Sequence, residues 1–376
     1  MTDLMDRLAA ANPARDQDER PPIDDVWRKI AAEPAAGRRG ARRRRGAPLA
    51  LIVAAAIPVL AVVLIALPGH HVDTHRAQPG VTDHRRPHST VDPVAQRSAL
   101  HALGGRSGSV VVVNPKTGAI EAMASSGSLR GGAQRSVPPG AAFDVVTLAT
   151  ALSTGRYGPQ SKVSDASPLG AADSQVRNDA GQSFGRVRLS DALALSINTV
   201  FARVGMNVGA QALTRQMRLF ELSSRPARGG RVAVGPLAAG QASVTATPLQ
   251  LAAVAAAVAN GGRLAQPHAT ELARPVAVRT VMPSRTARLL TDMLRRVVTD
   301  GTGTPANLPG LDIAGKTGTA PVGAGGTVAT FIGFAPADHP RVAIAVILEL
   351  PRSGFGGTTA APIAARVLRE VLRGPR

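Results

Sequence analysis

Two short polar groups and one helix start carry the chemistry that this sequence can offer. The sharpest group is Ala314-Gly315-Lys316-Thr317-Gly318-Thr319-Ala320, preceded by Gly301-Thr302-Gly303-Thr304-Pro305 and followed by Thr330-Phe331-Ile332-Gly333-Phe334-Ala335-Pro336. On an edge strand, Gly318 would let a substrate backbone lie close, and Lys316 with Thr317 and Thr319 could grip a carboxylate. A bare Lys-Thr-Gly is a weak signal, because Lys116-Thr117-Gly118 is a second copy. That copy follows Asn114-Pro115 between the apolar runs Val110–Val113 and Ala119–Met123, so it reads as a hairpin turn. The second polar group is Ser196-Ile197-Asn198, inside the apolar stretch from Ala192 to Ala202. The helix start is Pro139-Gly140-Ala141-Ala142-Phe143-Asp144, which opens an apolar helical pattern of Phe143, Val146, Ala149 and Leu152.

The run through Gly301, Lys316 and Phe334 resembles the penicillin-binding transpeptidases that cross-link peptidoglycan. Three marks define that family: Ser-x-x-Lys, Ser-x-Asn and Lys-Thr-Gly. Lys316-Thr317-Gly318, extended by Thr319, stands for the third. Ser196-Ile197-Asn198 stands for the second. There the resemblance implies that Ser196 relays a proton toward the leaving group and that Asn198 binds the substrate amide. The first mark is broken. The family writes Pro-Gly-Ser-x-Phe-Lys at the start of its central helix; here Ala141 occupies the place of the nucleophilic serine and Asp144 that of the lysine. Pro139, Gly140 and Phe143 fix this register, and Thr147 follows where the family often has threonine. The segment from Gly240-Gln241 to Thr247-Pro248-Leu249-Gln250 is similar to another recurrent stretch of the family.

The loss is chemically severe. The family mechanism needs an alkoxide-like oxygen at a helix N-terminus, where the dipole and backbone N–H groups favour negative charge. A lysine one turn later takes its proton. Alanine has no oxygen, and aspartate cannot replace an ammonium. In a comparable serine hydrolase, losing the nucleophile alone costs on the order of a million-fold in turnover. Structurally both replacements are comfortable: alanine is the best helix former, and aspartate in a first turn gains about 0.3–1 kcal/mol from the dipole. Opposite charges on positions that face one cleft in the family predict that Asp144 pairs with Lys316, within about 4 Å. Ser136, Ser196 and Thr317 are the alternative nucleophiles, none with the missing lysine beside it.

What must position these groups is read from the rest of the chain. Its 376 residues allow two or three domains. It has no cysteine, so no disulfide or thiolate site is possible. The formal net charge is +19 with 2% aromatic residues. The densest basic run, Arg42–Arg45 with Arg38 and Arg39, directly precedes an apolar span and has no aromatic stacking platform beside it. It points to anionic lipid or wall polymer rather than to nucleic acid.

Residues 1–46 read as a basic, mostly disordered cytoplasmic tail, with short helical patterns near Asp3–Ala11 and Asp24–Ala32. Residues 47–68 carry no charge and are long enough for a membrane helix, which needs about 20 residues. Pro58 is tolerated in such a helix. The preceding arginines orient it with Met1 in the cytoplasm and the rest outside. The stretch 69–97 reads as a Pro-, His- and Arg-rich linker, with His70, His71, Asp73 and His75 solvated rather than metal-bound. It is the only segment between the span and Val110, where larger relatives carry a pedestal domain. Residues 98–376 read as the transpeptidase-like domain.

Within that domain Ser190 is the expected cap of a helix over Asp191–Leu195. Thr247-Pro248 opens a helix that Asn260-Gly261-Gly262 ends. Ser284–Val298 is amphipathic, with Ala287, Leu290, Leu294 and Val297 on one face. Ile313–Lys316, Val328–Phe334 and Val342–Leu348 read as strands, and Pro362–Leu372 as a terminal helix. The implied fold class is α/β of the α+β type: the serine β-lactamase and penicillin-binding transpeptidase fold, a mixed sheet flanked by helices, with one N-terminal transmembrane helix. No cofactor or metal is expected. The implied function is that of a membrane-anchored transpeptidase-like protein without catalysis, binding a cell-wall synthesis or division partner or a peptidoglycan stem peptide. The alternatives are an active D,D-transpeptidase or carboxypeptidase with a displaced nucleophile, and a β-lactam or muropeptide sensor.

Overall fold

A computed structural model describes residues 89–129, 132–169, 175–224, 233–241, 244–272, 276–323 and 325–374. The tail, the expected membrane span, the His70–His75 cluster and most of the linker lie outside the described residues. Among the described residues no helix is long and apolar enough to cross a membrane.

Regular structure is present before residue 98. Helix α1 spans Pro93–Leu103 because Asp92 and Pro93 form a start signal. The Asp92 carboxylate accepts from the N–H groups of Val94 and Ala95 at 2.7 and 2.8 Å. Ala95, Ala99, Ala102 and Leu103 then bury one face, which the linker composition had masked.

Strands β1 (Gly108–Val113) and β2 (Ile120–Ser126) pair antiparallel as the expected hairpin. Its turn is held by Gly118 N–H donating to Asn114 O at 2.9 Å and Lys116 N–H donating to Asn114 Oδ1 at 3.0 Å. This copy of Lys-Thr-Gly is a turn, as its flanks require.

Next comes a mostly helical segment: α2 (Asp144–Ser153), α3 (Leu189–Leu195), α4 (Asn198–Val208), α5 (Ala210–Leu219), α6 (Pro248–Ala259) and α7 (Ser284–Asp300). The chain then returns to the sheet as β3 (Ala314–Val322), β4 (Gly326–Ala335) and β5 (Val342–Leu350), and ends in α8 (Gly356–Arg373). Helix α2 is buried from Asp144 through Leu152, as an all-round apolar sequence demands. Helix α6 begins with a capping box between Thr247 and Gln250 and stops at Asn260. Ala287, Leu290, Leu294 and Val297 form the buried stripe of α7.

Three expectations need correction. The sheet, ordered β2-β1-β5-β4-β3, is antiparallel in every pairing rather than mixed. Helices α2 to α7 are one long excursion between β2 and β3, not crossovers between parallel neighbours. Ser190 does not cap α3, which starts at Leu189. Carbonyls of a distant loop replace the cap: Leu189 N–H donates to Ser161 O and Ser190 N–H to Pro159 O, both at 3.0 Å. Helix α8 begins at Gly356, with Pro362 inside it. The Gly356 N–H, a first-turn donor, pairs with Thr319 Oγ1 at 3.2 Å, and Ala360 and Ala361 are buried in the cluster that packs on the sheet. Against these gains Pro362 removes only one donor.

The pleat sorts β4 into two faces. Ala329, Phe331 and Ala335 join α1 and α8 in one apolar cluster, while Val328, Ile332 and Phe334 join the helical layer in the other. Lys316 stands opposite Ile332 and Gly318 opposite Thr330. Directly opposed residues share a face, so Lys316 and Gly318 look toward α2.

Candidate active site

The site lies where the edge strand β3 meets the start of α2. Two glycines allow the approach. Gly140 has φ +56°, and a Cβ there would lie 2.6 Å from the Thr319 backbone nitrogen. A Cβ on Gly318 would lie 2.4 Å from Pro139 O. The turn Pro139-Gly140 and the strand therefore interlock backbone against backbone. A single turn of 3₁₀ helix over Gly140–Phe143 follows, then α2. Ala141 sits in it at 7% exposure and Asp144 is wholly buried.

Lys316 is also wholly buried. Its ammonium donates to Ser196 Oγ at 2.7 Å and to the Thr317 carbonyl at 3.0 Å. Its third neighbour is Asp144 Oδ2 at 3.7 Å, an ion-pair distance too long for a hydrogen bond. The expected pairing of Asp144 with Lys316 is present, but neither Asp144 oxygen has a hydrogen-bond partner. Burial pushes the Asp144 carboxyl up to about 7, against the pull of Lys316. Burial likewise pushes the Lys316 ammonium down to about 8, against the pull of Asp144.

Ser196 stands between α3 and α4 with φ +58° and ψ +49°, a conformation that costs a non-glycine residue about 1–2 kcal/mol. Such outliers cluster at functional sites. The turn brings its hydroxyl to Lys316. The lysine missing from position 144 is not replaced there, but Lys316 reaches Ser196 from a strand far along the chain. Asn198 opens α4 and its Nδ2 donates to the Arg177 carbonyl at 3.0 Å.

The hydroxyls expected to grip a carboxylate are tied in place. Thr317 and Thr302 share a hydrogen bond at 2.7 Å. Thr319 Oγ1 accepts from the Gly356 N–H at the start of α8, at 3.2 Å. Thr302 is a site residue that sequence reasoning quoted only as a flank, although Gly301-Thr302-Gly303 was the signal. Its N–H donates to Ala194 O at 2.9 Å, which seats the segment on the end of α3. Thr330 is wholly buried on the face of Gly318, with an unpartnered hydroxyl.

Asp144 and Ser196 thus both meet the Lys316 ammonium, with Ala141 in the turn just before Asp144 and Asn198 two residues after Ser196. The arrangement can hold a lysine at a fixed depth and present hydroxyls and an amide. At position 141 it offers only a methyl group, with no oxygen that could attack an acyl carbon.

A family description, penicillin-binding protein transpeptidase domain, matches residues 108–369. The peptidoglycan D,D-transpeptidase PbpA of Mycolicibacterium smegmatis is 30% identical over 354 residues, covering 76% of this chain and 72% of its own length. Stage V sporulation protein D of Bacillus subtilis is 27% identical, covering 70% of this chain and 48% of its own. Among solved structures, penicillin-binding protein A of Mycobacterium tuberculosis, as a ceftriaxone acyl-enzyme complex, is similar with a TM-score of 0.68 at 28% identity, over 76% of this chain and 80% of that one. The D,D-transpeptidase domain of a peptidoglycan glycosyltransferase from Eggerthella lenta gives 0.66 at 29% identity, over 76% and 82%. These matches span the described sheet, its helical layer and the cleft between them. The chain belongs to the penicillin-binding protein transpeptidase domain family.

Proposed function

We propose that this protein is a membrane-anchored member of the family that works in peptidoglycan synthesis without acyl-transfer chemistry, as a binding or scaffold protein. The reading rests on one observation: Ala141 and Asp144 fill the nucleophile and base positions, and Asp144 lies 3.7 Å from Lys316. The relatives support the pathway, being named peptidoglycan D,D-transpeptidases. One of them forms a ceftriaxone acyl-enzyme; this chain has no serine with which to do so at the corresponding place.

In this reading the uncharged stretch 47–68 is the anchor, the arginines before it stay in the cytoplasm, and the domain faces the cell wall. The partner is a protein of cell-wall synthesis or division, or a peptidoglycan stem peptide held in the cleft. Tethering to the membrane raises the effective concentration of such partners without any new contact.

The test is incubation of the full-length protein with fluorescent penicillin. No covalent label is expected. Label should appear after the paired substitution Ala141→Ser and Asp144→Lys. A covalent adduct mapped to the cleft of the unaltered protein would refute the reading.

A further inference from the structure

Just before α3 the chain forms a two-stranded ribbon whose outer face is basic. Lys162 stands opposite Arg188, Val163 opposite Val187 and Ser164 opposite Arg186. The pleat sends alternate residues to opposite sides. Val163 and Val187 point inward, at 6% and 2% exposure. Lys162, Ser164, Arg186 and Arg188 therefore share the outer side, the first three exposed and Arg188 half-buried. Asp165, next in the chain, turns the other way. It is buried, and its carboxylate accepts from Asn178 Nδ2 at 2.9 Å and from the Thr199 hydroxyl. Its charge is spent inside.

Helix α4 adds a cation to this face. Arg203 donates Nε to Ser164 O at 3.0 Å, which fixes its guanidinium beside the ribbon and leaves four N–H donors at its end. The charges differ in how they are matched. Arg188 pairs with Asp191 at 2.8 Å. Lys162, Arg186 and Arg203 have no ion-pair partner among the described residues. Diagonal neighbours across an antiparallel pair lie about 7–8 Å apart, so Lys162 and Arg186 repel, and Arg203 brings a third like charge. A negative ligand relieves all three at once.

The three cations occupy separate positions on an open face. That suits a chain of repeated negative charges better than one small anion held in a pocket. None of the large exposed apolar side chains belongs to the ribbon, so nothing on it would insert into a bilayer. The aromatic rings nearest in sequence, Tyr157 and Phe184, pack against the core, so they give no platform for stacking nucleobases.

We propose that this face docks a linear phosphodiester polymer without bases, held by Lys162, Arg186 and Arg203. The inference stands apart from the fate of the cleft, since none of these three side chains bonds to Lys316 or Ser196.

The test uses the full-length protein in neutral phosphatidylcholine nanodiscs, titrated with a synthetic glycerol-phosphate oligomer over a range of salt. Lys162→Gln, Arg186→Gln and Arg203→Gln combined should weaken binding roughly tenfold and lower the slope of log K against log salt by about one per contact removed. Arg186→Lys, which keeps the charge, should bind like wild type. Removing as many charges from α8, by Arg366→Gln, Arg369→Gln and Arg373→Gln, should change binding less than roughly twofold. Hydrogen exchange in residues 160–165 and 184–189 should slow when the oligomer binds wild type, and not in the triple ribbon variant. Unaltered binding in that variant would place the oligomer on the basic run before residue 46 and overturn the proposal. An equal loss from the α8 variant would mean net charge alone and overturn it too, as would no measurable binding. Tighter binding of single-stranded DNA of equal charge would hand the face to nucleic acid. Ribbon protection in phosphatidylglycerol nanodiscs without the oligomer would hand it to lipid. Either result overturns the polymer assignment.

Discussion

Asp144 Oδ2 lies 3.7 Å from Lys316 Nζ, and both side chains are fully shielded from water. The pair is a poor contributor to stability, because the Asp144 oxygens have no hydrogen-bond donors to offset their desolvation. Breaking it from one side is worse than keeping it, since a lone buried charge remains. Asp144→Ala should therefore cost about 3–5 kcal/mol. Asp144→Leu combined with Lys316→Met should be neutral or stabilising by about 1–4 kcal/mol. A double-mutant cycle by chemical denaturation measures both. A single substitution that proves harmless would mean that the two charges are not buried together.

The same pair sets a pH dependence. The unfolded Asp144 carboxyl loses its proton near its ordinary value of 3.8, whereas the folded one keeps it up to about 7. Between those values the folded state binds more protons, so raising the pH favours unfolding. Lys316, lowered from 10.5 to about 8, acts in the opposite sense above pH 8, where the unfolded chain binds the extra proton. Thermal stability should fall between about pH 4 and 7, and this slope should be absent in Asp144→Asn. Melting curves of both proteins across that range provide the check; identical slopes would remove the buried carboxylate as their source.

How far the sequence revealed this site depends on the range of each interaction. The turn at Lys116, the Thr247 cap and the stripe of α7 are local, and local signals found them. The pairing of Asp144 with Lys316 was legible because two motifs fixed two positions in one cleft. The bond from Lys316 to Ser196 was not foreseen, since side-chain reach is not written in a motif. Asp165 and Asn178 carried no local signal; their partner Thr199 comes from another part of the chain. Ser190 and Pro362 misled because each sits where a helix often starts, while distant carbonyls and the sheet face fixed the actual starts.

The strained turn at Ser196 separates two roles of that residue. Ser196→Gly removes the hydroxyl but relaxes the positive φ. Ser196→Ala removes the same hydroxyl and keeps the strain. The glycine variant should be the more stable by about 1 kcal/mol, with the Lys316 bond lost from both. Equal melting temperatures would show that the turn costs nothing.

Asp191 anchors the base of that turn. Its 2% exposed carboxylate pairs with Arg188 at 2.8 Å and with Arg296 of α7 at 2.9 Å. Removing it leaves two partly exposed guanidinium groups that water can still reach, so the loss falls at the lower end for a broken buried pair. Asp191→Ala should cost about 3 kcal/mol, and Asp191→Asn, which keeps an acceptor, less. Denaturant midpoints of the two variants decide the order; a harmless alanine would dismiss the anchor.

Gly140 locks the turn that carries Ala141 against β3. Its positive φ and its contact with Thr319 leave no room for a methyl group. Gly140→Ala meets backbone rather than a yielding side chain, so overpacking of about 1–3 kcal/mol adds to the backbone strain. The turn must then move off β3, carrying position 141 away from Lys316. In the Ala141→Ser and Asp144→Lys background, this substitution should abolish the restored penicillin label while the protein still folds. Label that survives Gly140→Ala would mean that the register of turn against strand does not aim position 141.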